Sequence, residues 1–278
     1  MKIGCGTVLF REFELERSLA AIRDIGFEYF ETQAVGPWCP HVNVNHDDPE
    51  NLVRLQKKYG FKGITGLWTL DGNIISNENS IASGIRSIEW AAAAGIPVVH
   101  TGDGHKPAHM SDEEAWKVFT ERMMILLEVA KKNNVKLAIE PHGSFSLTLA
   151  GLQEMMKLGT PDVLGINYDA CNIHRAGYVE SGNNKSGWDG NDTSENEVTV
   201  LKGIADRVIH FHAKDMSDIT KQCVALGAGD IKVKECIEHM KKIGYEGVVS
   251  LETEGGGDFE SIVKLADTSY KYLKKLIG

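Results

Sequence analysis

Four side chains that can hold a metal ion, Glu140, Asp169, His212 and Glu252, each close a short apolar run. The runs are KLAIE (136–140), VLGINYD (163–169), VIHFH (208–212) and GVVSLE (247–252). Their length and apolar content read as buried strands, and each gives way to loop residues and then to a helical pattern. A charged group at the last step of a buried strand is costly unless it has a partner. Four of them on successive strands therefore imply one shared site. Three carboxylates and an imidazole offer hard oxygen donors plus one borderline nitrogen, a set that suits Mn2+, Mg2+, Co2+ or Zn2+. Mn2+ is the first choice. Positions left open on one such divalent ion would take adjacent carbonyl and hydroxyl oxygens of a substrate. As a Lewis acid the ion would stabilise the enediolate left when a neighbouring carbon loses its proton. Carboxylates beside those oxygens would serve as acids and bases, provided their pKa values are tuned toward working pH.

The elements that must position these groups alternate from end to end. Strand patterns KIGCGTV (2–8), EYFET (28–32), KGITGL (62–67) and PVVH (97–100) precede the four already named, which makes eight. In the helical segment 112–132, Trp116, Phe119, Met123, Leu126, Leu127 and Ala130 recur every three or four residues as one apolar face. Ser111 and Glu114 predict a capping box at its start. Phe259, Ile262, Val263, Ala266, Tyr270 and Leu273 predict a last helix of the same kind. The 278 residues hold no low-complexity linker, and a (β/α)8 barrel needs about 250. The expected fold is thus α/β: one TIM-barrel domain over 1–278, with eight parallel strands, outer helices, and an active site at the C-terminal ends of the strands. An open doubly wound sheet would alternate similarly, but the first strand is not followed by GxGxxG.

Side chains two apart on a strand share a face. His210 should therefore lie one layer below His212 as a buried orienting partner, with Lys214 just above His212, holding a substrate oxygen or pairing with Asp215. His142 should follow Glu140 toward the site. Glu254 shares the face of Glu252 and is an alternative ligand, while Glu31 ends the second strand and is expected as a solvated or paired rim carboxylate that could reach the pocket. In GPWCPHVNVNH (36–46), Trp38 and His41 are candidates for lining a sugar-binding mouth. The segment 177–196 is polar, rich in Gly and Asn, and longer than a usual βα connection, so it is either a surface insertion or a lid that brings Trp188 over a substrate. LGAGDI (226–231) contains GxG without strong basic flanks and reads more as a turn than as a phosphate cradle.

A net charge of −9, from 39 acidic and 30 basic side chains, argues against a surface built to neutralise nucleic-acid phosphates. Five cysteines, odd in number and without CxxC spacing, support neither a disulfide framework nor a cysteine zinc site and fit a reducing compartment. The first residues lack a signal-peptide core, and no run approaches the roughly 20 apolar residues of a membrane span. A cytoplasmic location is expected, with no membrane or nucleic-acid partner and homo-oligomerisation left open.

As a set, AIEPHG (138–143), NYDACN (167–172), HFHAKD (210–215), LGAGDI and GYEGVVSLETE (244–254) resemble the sugar phosphate isomerase/epimerase family with its xylose isomerase-like barrel. This family includes ketose 3-epimerases and is related to endonuclease IV. The resemblance covers the second half of the chain and implies that Glu140, Asp169, His212 and Glu252 bind one divalent cation, with Glu140 and Glu252 also acting as the acid/base pair on opposite faces of a sugar. Two positions depart from the ketose 3-epimerase pattern. Asn172 stands where a second histidine is common, and HAKDMSD (212–218) lacks the arginine that helps hold a ketose chain. Asn172 can still hydrogen-bond a hydroxyl.

These readings favour a metal-dependent isomerase or epimerase of a keto-sugar or polyol-derived ketone, working by proton abstraction beside a metal-bound carbonyl. The same site could run a lyase, since an enolate that expels a β-hydroxyl gives dehydration, as with the inosose and dehydroshikimate dehydratases of the family. A nuclease resembling endonuclease IV would need more metal ligands and a basic groove. A carbohydrate-binding barrel without turnover is the remaining class.

Overall fold

The computed structural model describes residues 1–175, 195–254 and 256–278. Eight parallel strands close into a barrel: β1 (Lys2–Gly6), β2 (Tyr29–Gln33), β3 (Gly63–Asn73), β4 (Val98–Gly102), β5 (Lys136–Ile139), β6 (Leu164–Asp169), β7 (Val208–Ala213) and β10 (Val248–Leu251), with β10 pairing β1 to complete the ring. The expected TIM barrel is thus present. Glu140 and Glu252 lie one residue beyond their strands. A small antiparallel pair, β8 (Asp215–Met216) and β9 (Cys223–Val224), interrupts the alternation after β7.

The outer layer comprises α1 (Leu15–Ile25), α2 (Pro49–Lys58), α3 (Ser80–Ala93), α4 (Asp112–Lys132), α5 (Leu149–Met156), α6 (Ala170–Arg175), α7 (Glu197–Ile204), α8 (Val233–Lys242) and α9 (Phe259–Ile277). α4 runs over the predicted residues, and Ser111 and Glu114 form the reciprocal capping box. Its buried face carries Phe119, Met123, Leu126, Leu127 and Ala130. Each large side chain among them contributes roughly 1.5–3 kcal/mol by leaving water. α9 starts where Asp258 accepts from the Ser261 amide and buries Ile262, Ala266 and Leu273 against β1 and β10. α1 ends at Gly26, whose φ of 118° lies in the left-handed region that a side chain would strain.

Alternation along the strands sorts two cores. Outward residues such as Leu137, Ile139, Tyr168 and Phe211 pack under the helices, and the rings of Tyr168 and Phe211 lie 5.7 Å apart. The interior of the barrel is polar in its upper half, with Glu31, His100, Asn167, His210, His212 and Ser250 all buried. One irregularity in the β6–β7 pairing matters for the site. The register shifts between Ile166 and Asn167, after which Asn167 stands beside His210 and Asp169 beside His212. None of the five cysteines is bonded to another. Among the described residues, no helix is long and apolar enough to cross a membrane.

Candidate active site

Glu140, Asp169, His212 and Glu252 converge at the C-terminal mouth of the barrel. One donor atom from each lies within 4.8 Å of the others, and all four residues are buried. His212 Nδ1 stands 3.2 Å from Glu140 Oε2 and 3.2 Å from Glu252 Oε2. Asp169 is aimed by its own chain, because Oδ1 accepts from the amides of Cys171 (2.8 Å) and Asn172 (3.0 Å) at the start of α6. Its Oδ2 faces inward, where the Lys214 ammonium pairs with it at 2.8 Å. Three buried carboxylates and an imidazole converging on one point fit a divalent cation, and these four residues would hold it.

The groups next to the four differ from expectation in informative ways. Lys214 is fully buried and does not pair with Asp215. It spans Asp169, Glu252 (2.8 Å) and Glu254 (2.9 Å), binding three carboxylates together. Asp215 instead accepts amide hydrogens from Met216, Gly227, Gly229 and Ile231, so LGAGDI is a turn wrapped around a carboxylate. Asn172 donates to Glu140 Oε1 at 2.9 Å and so holds a candidate acid/base residue in place. Glu31 is neither solvated nor on the rim. It lies 2% exposed inside the barrel, 3.0 Å from His212 Nε2, and accepts from Ser250. His210 is the buried neighbour expected, its Nδ1 2.9 Å from Asn167 Oδ1.

Glu254 pairs with Lys214 and with Arg175 at 3.9 Å, beside the four rather than among them. His142 lines the mouth edge-on to Trp68, with 6.0 Å between ring centroids. Trp38 is exposed at the entrance with the Arg11 guanidinium over its ring. His41 is turned away, its Nε2 2.9 Å from the Phe13 carbonyl. Trp188 and nearly all of 177–196 lie outside the described residues.

Several site residues escaped the pattern of the sequence. Asn167 donates to Glu140 Oε2 at 3.1 Å and lies against the His212 ring, and Gln33 donates to Glu252 Oε1 at 3.2 Å. Asn167 is two residues before Asp169 and Gln33 two after Glu31, so the spacing that located His210 could have found both. The cleft above the cluster encloses about 320 Å3 and is lined by Gln33, Trp38, Trp68, Asn73, Asn77 and His142 along with the glutamates. A larger cavity of about 920 Å3 opens at the opposite, N-terminal end beside Lys2, Tyr29, Lys62 and Lys136. The smaller cleft is the candidate site because it alone contains the convergent carboxylates.

Electrostatics divides the two candidate acid/base groups. Burial, reinforced by the charge of Glu252, pushes the Glu140 carboxyl up to about 7. Burial also pushes Glu252 upward, but cationic His212 and Lys214 outweigh it and hold that carboxyl below its ordinary value. His212 is raised well above the usual imidazole range: burial opposes its charge, and Glu252, Glu31 and Glu140 overcome that opposition. Burial leaves His142 and His100 lowered.

A family model described as a xylose isomerase-like TIM barrel matches residues 19–276. A D-tagatose 3-epimerase-like protein superposes with a TM-score of 0.77 at 21% identity, over 99% of this chain and 98% of that one. The 3-keto-D-glucoside 4-epimerase of E. coli gives 0.74 at 17% identity, over 99% of each chain. A probable 3-DHS dehydratase of Bacillus anthracis gives 0.73 at 18% identity, over 99% of each. An uncharacterised protein of Methanocaldococcus jannaschii is 24% identical over 294 residues, covering 99% of this chain and 90% of that protein. At these identities the structural likenesses establish the fold, and the activities named are those of the neighbours.

Proposed function

The chain belongs to the xylose isomerase-like TIM-barrel family, and from that premise we propose that it is a divalent-metal-dependent isomerase or epimerase of a keto-sugar or polyol-derived ketone. The observation that carries this proposal is the convergence of two buried glutamates on one imidazole, with Asp169 beside them, at the mouth of the barrel. Two carboxylates facing one substrate position are what proton removal and return require. A divalent cation held by Glu140, Asp169, His212 and Glu252, Mn2+ by preference, would supply Lewis acidity that polarises the substrate carbonyl.

Glu252 is the base, kept ionised by Lys214 and oriented by Gln33, and it takes the proton from the carbon beside the carbonyl. Glu140, clamped by Asn172 and Asn167, returns one from the other wall. His142, Trp68 and Trp38 exclude water and pack the carbon face of the sugar, while Asn73 and Asn77 offer hydrogen bonds to hydroxyls. Among the described residues that line the cleft there is no Lys or Arg, which favours an unphosphorylated substrate. The same enolate could lose a β-hydroxyl as water, and the dehydratase among the similar folds makes a lyase the second reading.

Product analysis tests both. The metal-loaded protein is incubated with neutral keto-sugars, their phosphate esters and inososes, and products are read by mass and NMR. A new isomer of unchanged mass from a neutral ketone supports the proposal. Loss of one water selects the lyase, and turnover confined to phosphate esters contradicts an unphosphorylated substrate.

A further inference from the structure

Directly beneath the four proposed ligands lies a second convergence of donor atoms. Glu31 on β2, His100 on β4 and His210 on β7 are buried inside the barrel and face His212 from below, each offering a donor within 4.8 Å of the rest. Barrel interiors are ordinarily packed with branched apolar side chains at this depth. Here His100 Nε2 is 3.4 Å and His210 Nε2 3.5 Å from Glu31 Oε2, and His212 Nε2 is 3.0 Å from Glu31 Oε1. Four donors bound tetrahedrally to an ion at 2.0–2.1 Å lie about 3.3–3.4 Å from one another. The spacing around Glu31 is therefore close to the edge of a metal tetrahedron and, for His100 and His210, long for a good hydrogen bond.

Two further features point to a ligand. His100 is fully buried, yet neither of its ring nitrogens makes a hydrogen bond. The fold also makes room for this ring at close quarters, since a Cβ built on Gly66 would stand 1.9 Å from His100 Nε2. His210 is oriented in the way metal ligands usually are, with Nδ1 tied to Asn167 Oδ1 at 2.9 Å, while Nε2 lies 3.3 Å from Thr65 Oγ1 and 3.5 Å from Glu31 Oε2.

We propose that Glu31, His100 and His210 form a second divalent-cation site of the zinc class, with His212 Nε2 completing its wall. Imidazole-rich donor sets of this kind select Zn2+ or Co2+ over the harder ions that suit the carboxylate-rich site above. The two sites share only the His212 ring, whose Nδ1 faces Glu140 and Glu252 above and whose Nε2 faces Glu31 below.

Chelator-stripped protein titrated with Co2+, then desalted and analysed for metal, tests the proposal. The wild type should retain two cations per chain and show the intense visible absorption of four-coordinate Co2+. His100→Gln and His210→Gln should each retain one cation and lose that absorption, whereas Asp169→Asn should keep the absorption. One cation per chain at saturation in the wild type, with a count unchanged by His100→Gln, overturns the proposal and leaves Glu31 as a group that only orients His212. A single cation lost in His100→Gln and kept in Asp169→Asn would uphold the lower site and sink the upper one.

Discussion

Glu140 and Glu252 are both buried carboxyls, and their neighbours rather than their chemistry separate their proposed roles. Glu140→Gln and Glu252→Gln should each lower turnover by about 10²–10⁴-fold, the range of a lost general acid or base, while circular dichroism stays unchanged. Equal activity in either variant would remove that glutamate from the mechanism. A different residue reports on pH. Burial raises the Asp103 carboxyl, against the hydrogen bonds from Ser146 and the amide of Phe145. The folded chain therefore holds this proton more tightly than the unfolded chain. Its stabilising contribution is full below the unfolded value of about 3.9 and is lost as pH rises through the higher folded value. Asp103→Asn cannot ionise, so the Tm of the variant minus that of the wild type should grow from pH 4 to pH 7. A difference that is flat or shrinks with pH would refute this. At this scale the four proposed ligands were legible because each ends an apolar run. Glu31 was misplaced and His100 went unnoticed because a single polar residue in a short strand does not reveal whether it faces the interior of a barrel or its rim.

Among the elements, α4 was legible to the residue, since it combines an apolar face with a capping box, and α9 was legible through its apolar face. Ser111→Ala should cost about 1 kcal/mol in urea unfolding, and an unchanged midpoint would show that the cap contributes nothing. The turn 226–231 was recognised but its content was not. Four amides converge on the Asp215 carboxylate, a contact formed between residues up to sixteen positions apart that no local pattern encodes. Asp215→Ala leaves those amides without their acceptor and should destabilise the fold by roughly 2–4 kcal/mol, and a loss below that of Ser111→Ala would contradict the assigned role. The register shift in β6–β7 was equally hidden, because it depends on how two strands pair rather than on either sequence.

For the molecule as a whole, eight alternating units and the length of the chain made the closed barrel readable, and the strand order carries every proposed ligand to one end. That end gathers Glu140, Asp169, Glu252 and Glu254 against Lys214 and His212, so the proposed divalent cation would relieve repulsion in the folded state that the unfolded chain does not feel. At a free concentration about 100 times its Kd, binding adds about 2.7 kcal/mol, or roughly 5–10 °C in Tm for a chain of this size. Chelator-treated protein should melt lower by that amount and recover on adding Mn2+ or Co2+. Melting unaffected by chelator or cation would argue against a resident metal.

Enolisation of a ketone is the chemistry proposed for this mouth. Its most direct test is to incubate metal-loaded protein with a keto-sugar in D2O and to follow the carbon beside the carbonyl by NMR. Deuterium should enter at that one carbon in the wild type and fail to enter with Glu140→Gln or Glu252→Gln. Conversion of a ketone without deuterium uptake, or uptake that persists in both variants, would contradict it.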